Sequence, residues 1–355
     1  MWYQTKITEA LGIQYPIIQG PMGGGFFSAD LLASISNAGG LGSLGAYTMT
    51  PGQILEATKE IQLKTNKPYN LNLWVSDVDE RLKDYPQEKL ARITALFKPY
   101  FDELGIPVPE LVTDIPSKFE QQVEVLFQVR PAVFSFIFGI PSPEILKESR
   151  RLGIRTVGAA TTSDEAMMLD EAGVDAIVAA GFEAGGHRPS FLKPAQDSLI
   201  GTFTLIQQLR AKVRKPIIAA GGIIDANGIA AALTLGADAV QMGTAFLTSE
   251  ESVATPEHKK ILLSGNHTVL SKSLTGRLGR MIDNRISGEV AFETEVLPFP
   301  LQTRLIAPLK AAAIAQGKTE MMSFWSGQNN TNLKNWKAAE LMQWLIAETG
   351  RILDK

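Results

Sequence analysis

AGVDAIVA (172–179) and LGADAVQM (235–242) decide how this chain is read. Each passes from a helix end through a glycine and an acid into an apolar strand, so the two are copies of one βα joint. Working outward from them, eight short apolar runs stand out. They are YPIIQGPM (15–22), LGSLGA (41–46), YNLNLWV (69–75), AVFSFIFG (132–139), RTVGAAT (155–161), AIVAAG (176–181), PIIAAG (216–221) and AVQMGTAF (239–246). Glycine, proline or a helix-start signal bounds each run, and an amphipathic segment of helical length follows most of them. Near-continuous apolar strands alternating with helices mean a parallel sheet covered on both faces. Eight such units predict an α/β chain folded as a closed (β/α)8 TIM barrel, with an open doubly wound sheet as the competing topology.

Local signals support the joints. Thr162 and Glu165 read as a capping-box pair opening a helix that Gly173 can close, and Asp225 or Asn227 can cap the helix ending at Gly236. GLGSLG (40–45) fits the G-x-G-x-x-G expression of dinucleotide-binding folds, but here it follows a helix and leads into a strand. It reads as a helix stop and a tightly packed strand.

The expected organisation is a barrel made of residues 1–75 and 132–248, a helical insertion at 76–131, and a C-terminal segment, 249–355, that packs on the barrel and covers the site. In the insertion Leu90, Ile93, Phe97, Tyr100, Phe101 and Leu104 share one helical face. Ser117 with Glu120 opens a second helix carrying Phe119, Val123 and Phe127. The C-terminal segment carries TGRLGR (275–280), LPFPLQ (297–302) and FWSGQ (324–328).

Composition narrows the function. The 355 residues are 45% hydrophobic and 20% charged with a formal net charge of −3, a soluble globular profile without general attraction for nucleic acid or anionic membranes. No cysteine and three histidines leave no basis for a disulfide, a thiolate nucleophile or a histidine-rich metal site, so no metal is expected. No leader-like segment precedes the first run and no run approaches 18 uncharged apolar residues, which makes the cytoplasm the expected compartment. Small molecules are the expected partners, and oligomeric state has no signature.

In a barrel, ligands gather at the carboxyl ends of the strands and phosphates after the last two. Gly221 and Gly222 follow the seventh run, and Gln241, Met242, Gly243 and Thr244 end the eighth. Glycine amides can aim N–H donors at a phosphate, and Thr244 adds a hydroxyl; the structural alternative is tight packing of glycine turns. Pro21, Met22 and Gly23 end the first run without charge, Asn72 offers an amide on the third, and Gly185 and Gly186 permit close backbone approach. Such a surface suits a flat heteroaromatic ring, and a ring plus a phosphate suggests flavin mononucleotide (FMN), although a phosphorylated sugar would use many of the same donors.

Acids and bases are few. No lysine lies in any of the eight runs, which removes aldolase-type chemistry. Glu183 is placed to orient its loop, and Asp225 to cap a helix. His187, in AAGFEAGGHRPS (179–190), follows a core strand beside paired glycines and is the candidate proton handler. A histidine merely hydrogen-bonded in a loop is the alternative.

At these residues the chain resembles the nitronate monooxygenase (2-nitropropane dioxygenase) family, FMN-binding barrels that oxidise alkyl nitronates such as propionate 3-nitronate with dioxygen. The resemblance rests on QGPMGGG (19–25), SNAGGLGSLGA (36–46), NLNLW (70–74), GFEAGGH (181–187), AAGGI (219–223) and QMGTAF (241–246). TGRLGR and FWSGQ are similar to motifs of the family's first class. The resemblance implies that His187 is the active-site base or substrate-orienting group. It also implies that Met22, Gly23, Asn72, Gly185, Gly222 and the run from Gln241 to Thr244 contact the flavin. The implied reaction passes an electron from nitronate to flavin and uses dioxygen to give a carbonyl compound and nitrite, without nicotinamide. Two positions depart from the pattern: Ala180, where many members carry glutamine, and Ile137, where some carry a polar residue. The rival expectation is an FMN-dependent enoyl-[acyl-carrier-protein] reductase using NAD(P)H, which shares EAGGH and AAGGI; the long tail with FWSGQ argues against it.

Overall fold

The computed structural model describes residues 1–82, 84–291 and 294–354. Its strands, in chain order, are β1 (Ile17–Gln19), β2 (Gly42–Gly45), β3 (Tyr69–Trp74), β4 (Val133–Ile137), β5 (Arg155–Ala160), β6 (Ala176–Ala180), β7 (Gly186–His187), β8 (Ile217–Ala220), β9 (Ala239–Met242), β10 (Thr268–Ser271) and β11 (Gly279–Ile282). Eight of them form a parallel sheet in the order β1-β9-β8-β6-β5-β4-β3-β2. The two ends meet at a parallel bridge between Ile18 and Leu41, which closes the sheet into the expected (β/α)8 barrel and removes the open alternative. That seam is short, and Gln19 strengthens it: Ser43 N–H donates to Gln19 Oε1 at 3.1 Å and Ser43 Oγ to the Gln19 carbonyl at 2.6 Å.

The repeated joint has a physical explanation. Gly173 and Gly236 take φ of 79° and 102°, the left-handed region where a side chain is strained. The acid two residues on then fastens the next strand to its neighbour: Asp175 Oδ2 accepts Thr156 N–H at 2.8 Å, and Asp238 Oδ2 accepts Ile217 N–H at 2.8 Å. In GLGSLG the glycines serve packing, since a Cβ on Gly42 would lie 2.3 Å from the Leu32 carbonyl oxygen.

Two capping expectations need correction. Thr162 accepts Glu165 N–H, but the fully buried Glu165 carboxylate does not return to the helix start. It accepts from Thr161 N and Oγ1, both at 2.6 Å, and from the backbone of Phe191 and Leu192, so it holds down the loop beyond His187. Ser117 likewise forms no box with Glu120: its Oγ accepts Phe119 N–H at 3.2 Å and donates to Asp77, whose second oxygen accepts Lys118 N–H at 2.7 Å. Asp225 caps its helix as read, accepting Gly228 N–H at 2.9 Å.

The expected insertion at 76–131 divides between two cores. Helix Phe119–Val129 packs on helix Pro51–Lys64 and β3 as an ordinary barrel helix, with Phe119, Val123 and Leu126 in the barrel core. Helix Gln87–Leu104 instead packs on helix Leu301–Ala315, and Phe97 and Phe101 join Leu262, Met281 and Leu305 in a second apolar core. The last helix, Ala338–Leu353, lies against helices Ala29–Asn37 and Ala226–Thr234, the position of the eighth barrel helix. The segment between β9 and that helix is therefore the excursion: Ala338, Leu341, Met342 and Leu345 of the final helix join the barrel core, whereas Leu301, Leu305 and Leu309 join the second one. An antiparallel sheet in the order β10-β11-β7 ties the excursion to the loop after β6. Among the described residues no helix is long and apolar enough to cross a membrane.

Candidate active site

Period-two alternation sends Ile18, Val133, Val157 and Ile218 into the barrel interior, where they fill its lower part. Above them the inward residues are small. Ala159, Val178, Ala180 and Ala220 line a cavity that opens at the carboxyl ends of the strands. Pro21, Met22, Gly23, Asn72, Gly185, Gly186, His187, Gly221, Gly222, Gln241, Gly243 and Thr244 all border this one cavity. Met242 does not. It points outward from β9 into the barrel core at 1% exposure, and only its carbonyl takes part, accepting Gly20 N–H at 2.8 Å.

One end of the cavity is walled by glycine. Gly222 has φ of 71°, with Glu183 Cβ 3.5 Å from where its Cβ would stand, and a Cβ on Gly243 would meet nothing within 4 Å, so Gly243 leaves open space. The N–H groups of Gly222 and Gly243 have no acceptor among the described residues. Thr244 Oγ1 accepts Gly327 N–H at 2.8 Å, which leaves its own proton to donate. Gly221, at φ of 120°, is also a packing glycine, because a Cβ there would stand 2.6 Å from Thr202 Oγ1. Deeper in, Asn72 Nδ2 donates to Ser135 Oγ at 2.9 Å while its Oδ1 and the Gln241 amide lack protein partners among the described residues.

The other end is aromatic. The His187 ring sits 5.1 Å from Trp74, 4.9 Å from Trp325, 6.2 Å from Phe299 and 6.5 Å from Phe138, centroid to centroid. The residue is half-buried and borders the cavity. Its Nε2 lies 2.9 Å from Thr275 Oγ1. Burial, helped by the Arg277 charge, pushes its pKa down to about 3, so the imidazole is neutral at physiological pH. The Arg277 guanidinium lies between Phe138 at 4.0 Å and Phe299 at 4.6 Å and donates to the Ser76 carbonyl. Burial lowers it to about 10, so it keeps its charge. Tyr47 stacks on Trp74 at 3.6 Å, and burial raises its hydroxyl to about 12.

Secondary contacts hold the His187 loop. Glu183 accepts Thr202 N–H at 2.9 Å, which fits its reading as a loop-orienting acid. The Arg188 guanidinium donates to the carbonyls of Ala180 and Ser198. Gly185 serves a purpose that the sequence does not reveal: a Cβ there would lie 2.6 Å from Gly327 N and Ser326 C, so its missing side chain admits the tail.

Sequence reasoning missed several walls. Trp74 was legible, since it shares inward parity with Asn72 on β3. Tyr47, just past β2, carried a weaker signal. Trp325, Ser326 and Gly327 lie in FWSGQ, and the tail was expected to cover the site, but nothing local to the motif gave the positions at which they and Asn329 border the cavity.

A parallel barrel with one polar-to-aromatic cavity at its carboxyl mouth defines a (β/α)8-barrel enzyme. The model of the nitronate monooxygenase family matches residues 4–348, and the chain belongs to that family of oxidoreductases. It is 36% identical to a probable nitronate monooxygenase of Staphylococcus haemolyticus (strain JCSC1435) over 99% of each chain. Nitroalkane oxidase from Streptomyces ansochromogenes superposes with a TM-score of 0.89 at 31% identity, covering 98% of both chains. FabK from Thermotoga maritima is more distant, with a TM-score of 0.76 at 26% identity over 99% of this chain and 97% of that one.

Proposed function

We propose that this protein binds FMN in the barrel mouth and oxidises alkyl nitronates with dioxygen to a carbonyl compound and nitrite. The observation that carries the reading is the joining of two unlike ends in one cavity: unclaimed glycine amides at Gly222 and Gly243, and a neutral imidazole in an aromatic box. The residues fit the cofactor. Gly221, Gly222, Gly243 and Thr244 would hold the phosphate, and Pro21, Met22, Gly23, Asn72, Gly186 and Gln241 would border the ring. Asn72 Oδ1 and the Gln241 amide offer it hydrogen-bonding groups otherwise unpaired. Bound FMN would supply the electron acceptor that no side chain here provides.

The chain's own residues do the rest. Tyr47, Trp74 and Trp325 line the cavity, where they would exclude water and present flat apolar faces to a small organic anion. The charge of Arg277, 5.5 Å from the Trp74 ring that lines the cavity, favours an anion beside that ring. His187, uncharged, orients that anion by hydrogen bonding without adding a competing cation.

The deciding assay compares two reactions on yellow, purified protein: oxygen uptake with nitrite release from propionate 3-nitronate, and nicotinamide oxidation with an enoyl thioester. Nitronate turnover alone is expected; the reverse outcome replaces this reading with a reductase. His187→Asn should keep bound flavin and lose roughly 100-fold or more of the turnover. Unchanged activity would remove His187 from the mechanism.

A further inference from the structure

Arg277 apart, TGRLGR has no part in the chemistry described so far, yet it meets His187 at two levels. Gly279, at the head of β11, pairs with His187 in β7, and the N–H of Arg188 donates to the Leu278 carbonyl at 2.8 Å. The ring is met separately, by Thr275 Oγ1 at 2.9 Å. We propose that Thr275 is a positioning residue that holds His187 as the Nε2–H tautomer, so that Nδ1 is the lone-pair nitrogen offered to the occupant of the cavity.

The argument is a count of protons. A threonine hydroxyl has one proton and two lone pairs. Thr275 Oγ1 lies 3.1 Å from the Arg277 carbonyl oxygen, which can only accept, and 3.4 Å from the Arg277 N–H, which can only donate. The carbonyl therefore takes the hydroxyl proton, one lone pair receives the amide, and the other is left for His187 Nε2–H. The opposite arrangement, with the hydroxyl donating to Nε2, strips the Arg277 carbonyl of this partner. It also places a proton on Nδ1, which has no acceptor among the described residues. The first arrangement leaves only the Nδ1 lone pair without a protein partner, whereas the second leaves an N–H and costs the Arg277 carbonyl this bond, so a buried polar set favours the first.

The turn that carries Thr275 is built to stay in place. The N–H groups of Thr275 and Gly276 both donate to the Lys272 carbonyl, at 3.2 and 2.8 Å. Gly276 has φ of 82°, and a Cβ there would fall 2.2 Å from the Leu297 carbonyl oxygen, so the turn is wedged against the chain at 297–299. Because burial keeps the imidazole uncharged down to about pH 3, its tautomer rather than its charge is the property left for the protein to set. Thr275 acts through His187 and has no place among the residues bordering the cavity.

The proposal rests on the functional reading of His187, and its test can be separated from that reading. The chain has three histidines, so nitrogen-15 labelling of histidine in the FMN-loaded protein yields few ring signals, and the His187→Asn spectrum identifies those of His187. Wild-type protein should show a protonated Nε2 and an unprotonated Nδ1. Thr275→Val should turn His187 to a mixed or Nδ1–H pattern and lower nitronate turnover roughly tenfold or more, while Thr275→Ser restores both. If the valine variant does not fold, Thr275→Ala is measured in the same way. A wild-type Nδ1–H, or a hydroxyl-free variant with unchanged ring signals, overturns the proposal. The spectrum decides this whether or not the wild-type protein turns over nitronates.

Discussion

Thr244 Oγ1 receives the N–H of Gly327 at 2.8 Å, joining residues 83 positions apart. The bond is one of three stitches along a short piece of tail. Gln328 N–H donates to the Glu183 carbonyl at 2.8 Å, and Asn329 Nδ2 to the Gly222 carbonyl at 3.0 Å. The tail is thus sewn across the loops after β6, β8 and β9, and Trp325 beside the first stitch becomes the cover over His187. The glycine end and the aromatic end of the cavity share one support.

Thr244→Val removes the acceptor for Gly327 and the free hydroxyl proton while keeping the side-chain volume. A net hydrogen bond contributes about 1 kcal/mol, so FMN affinity should fall roughly fivefold with little change in the melting temperature of the flavin-free protein. Flavin fluorescence titration measures it; an unaltered affinity would take Thr244 out of the phosphate site.

Gly185→Ala places a methyl 2.6 Å from backbone atoms of Ser326 and Gly327, which cannot yield as a flexible side chain would. The tail should lift locally at a cost of about 1–3 kcal/mol. Hydrogen exchange at 325–329 should accelerate while the barrel strands keep their protection. Retained protection at 325–329 would contradict the packing described.

Gly222→Asp is a test by charge. Its φ of 71° is a region that aspartate tolerates better than most residues, and the nearest atom to a Cβ is Glu183 Cβ at an ordinary 3.5 Å. The variant should fold, yet its carboxylate would face the phosphate position and repel it. Colourless protein with an unchanged far-ultraviolet circular dichroism spectrum is expected. Full flavin occupancy would move the phosphate elsewhere.

His258 should contribute to acid sensitivity. It is 2% exposed and donates Nε2–H to the Trp325 carbonyl at 2.9 Å; burial pushes its pKa down to about 4, against the opposing pull of that hydrogen bond. The folded value lies below the unfolded one, so the neutral imidazole contributes stability that is complete above the unfolded pKa. As pH falls from about 6.5 to about 4, the unfolded state binds the proton first. Stability then declines by up to about 1.4 kcal/mol per pH unit from this group. Denaturant unfolding of His258→Gln between pH 7 and pH 4 should show a shallower decline than wild type; equal slopes would assign the acid sensitivity to other groups.

Much of the site was legible because it depends on strand periodicity and on residue type. The eight runs are near-continuous apolar segments, and Asn72, Gln241 and His187 are polar residues at strand ends or directly after them, where a barrel places its ligands. The same periodicity separates Gln241, turned inward, from Met242, turned outward, a distinction that a motif read as a block obscures. Local capping signals were less reliable. Ser117 and Glu165 have the expected residue types, but a distant carboxylate and a neighbouring loop offered them better partners.

The amino-acid sequence alone determined the alternation of eight apolar strands with amphipathic helices, because that pattern is short-range; the Ile18–Leu41 seam then decided closure into a barrel. The sequence also placed His187 and the glycine pairs at strand ends. Only the tertiary structure decided what surrounds them. Thr275, Trp325 and Gly327 reach the site from beyond β9 through antiparallel pairing and backbone crossings. Such contacts are chosen by complementarity between surfaces formed after folding, and no pattern within either segment carries that information.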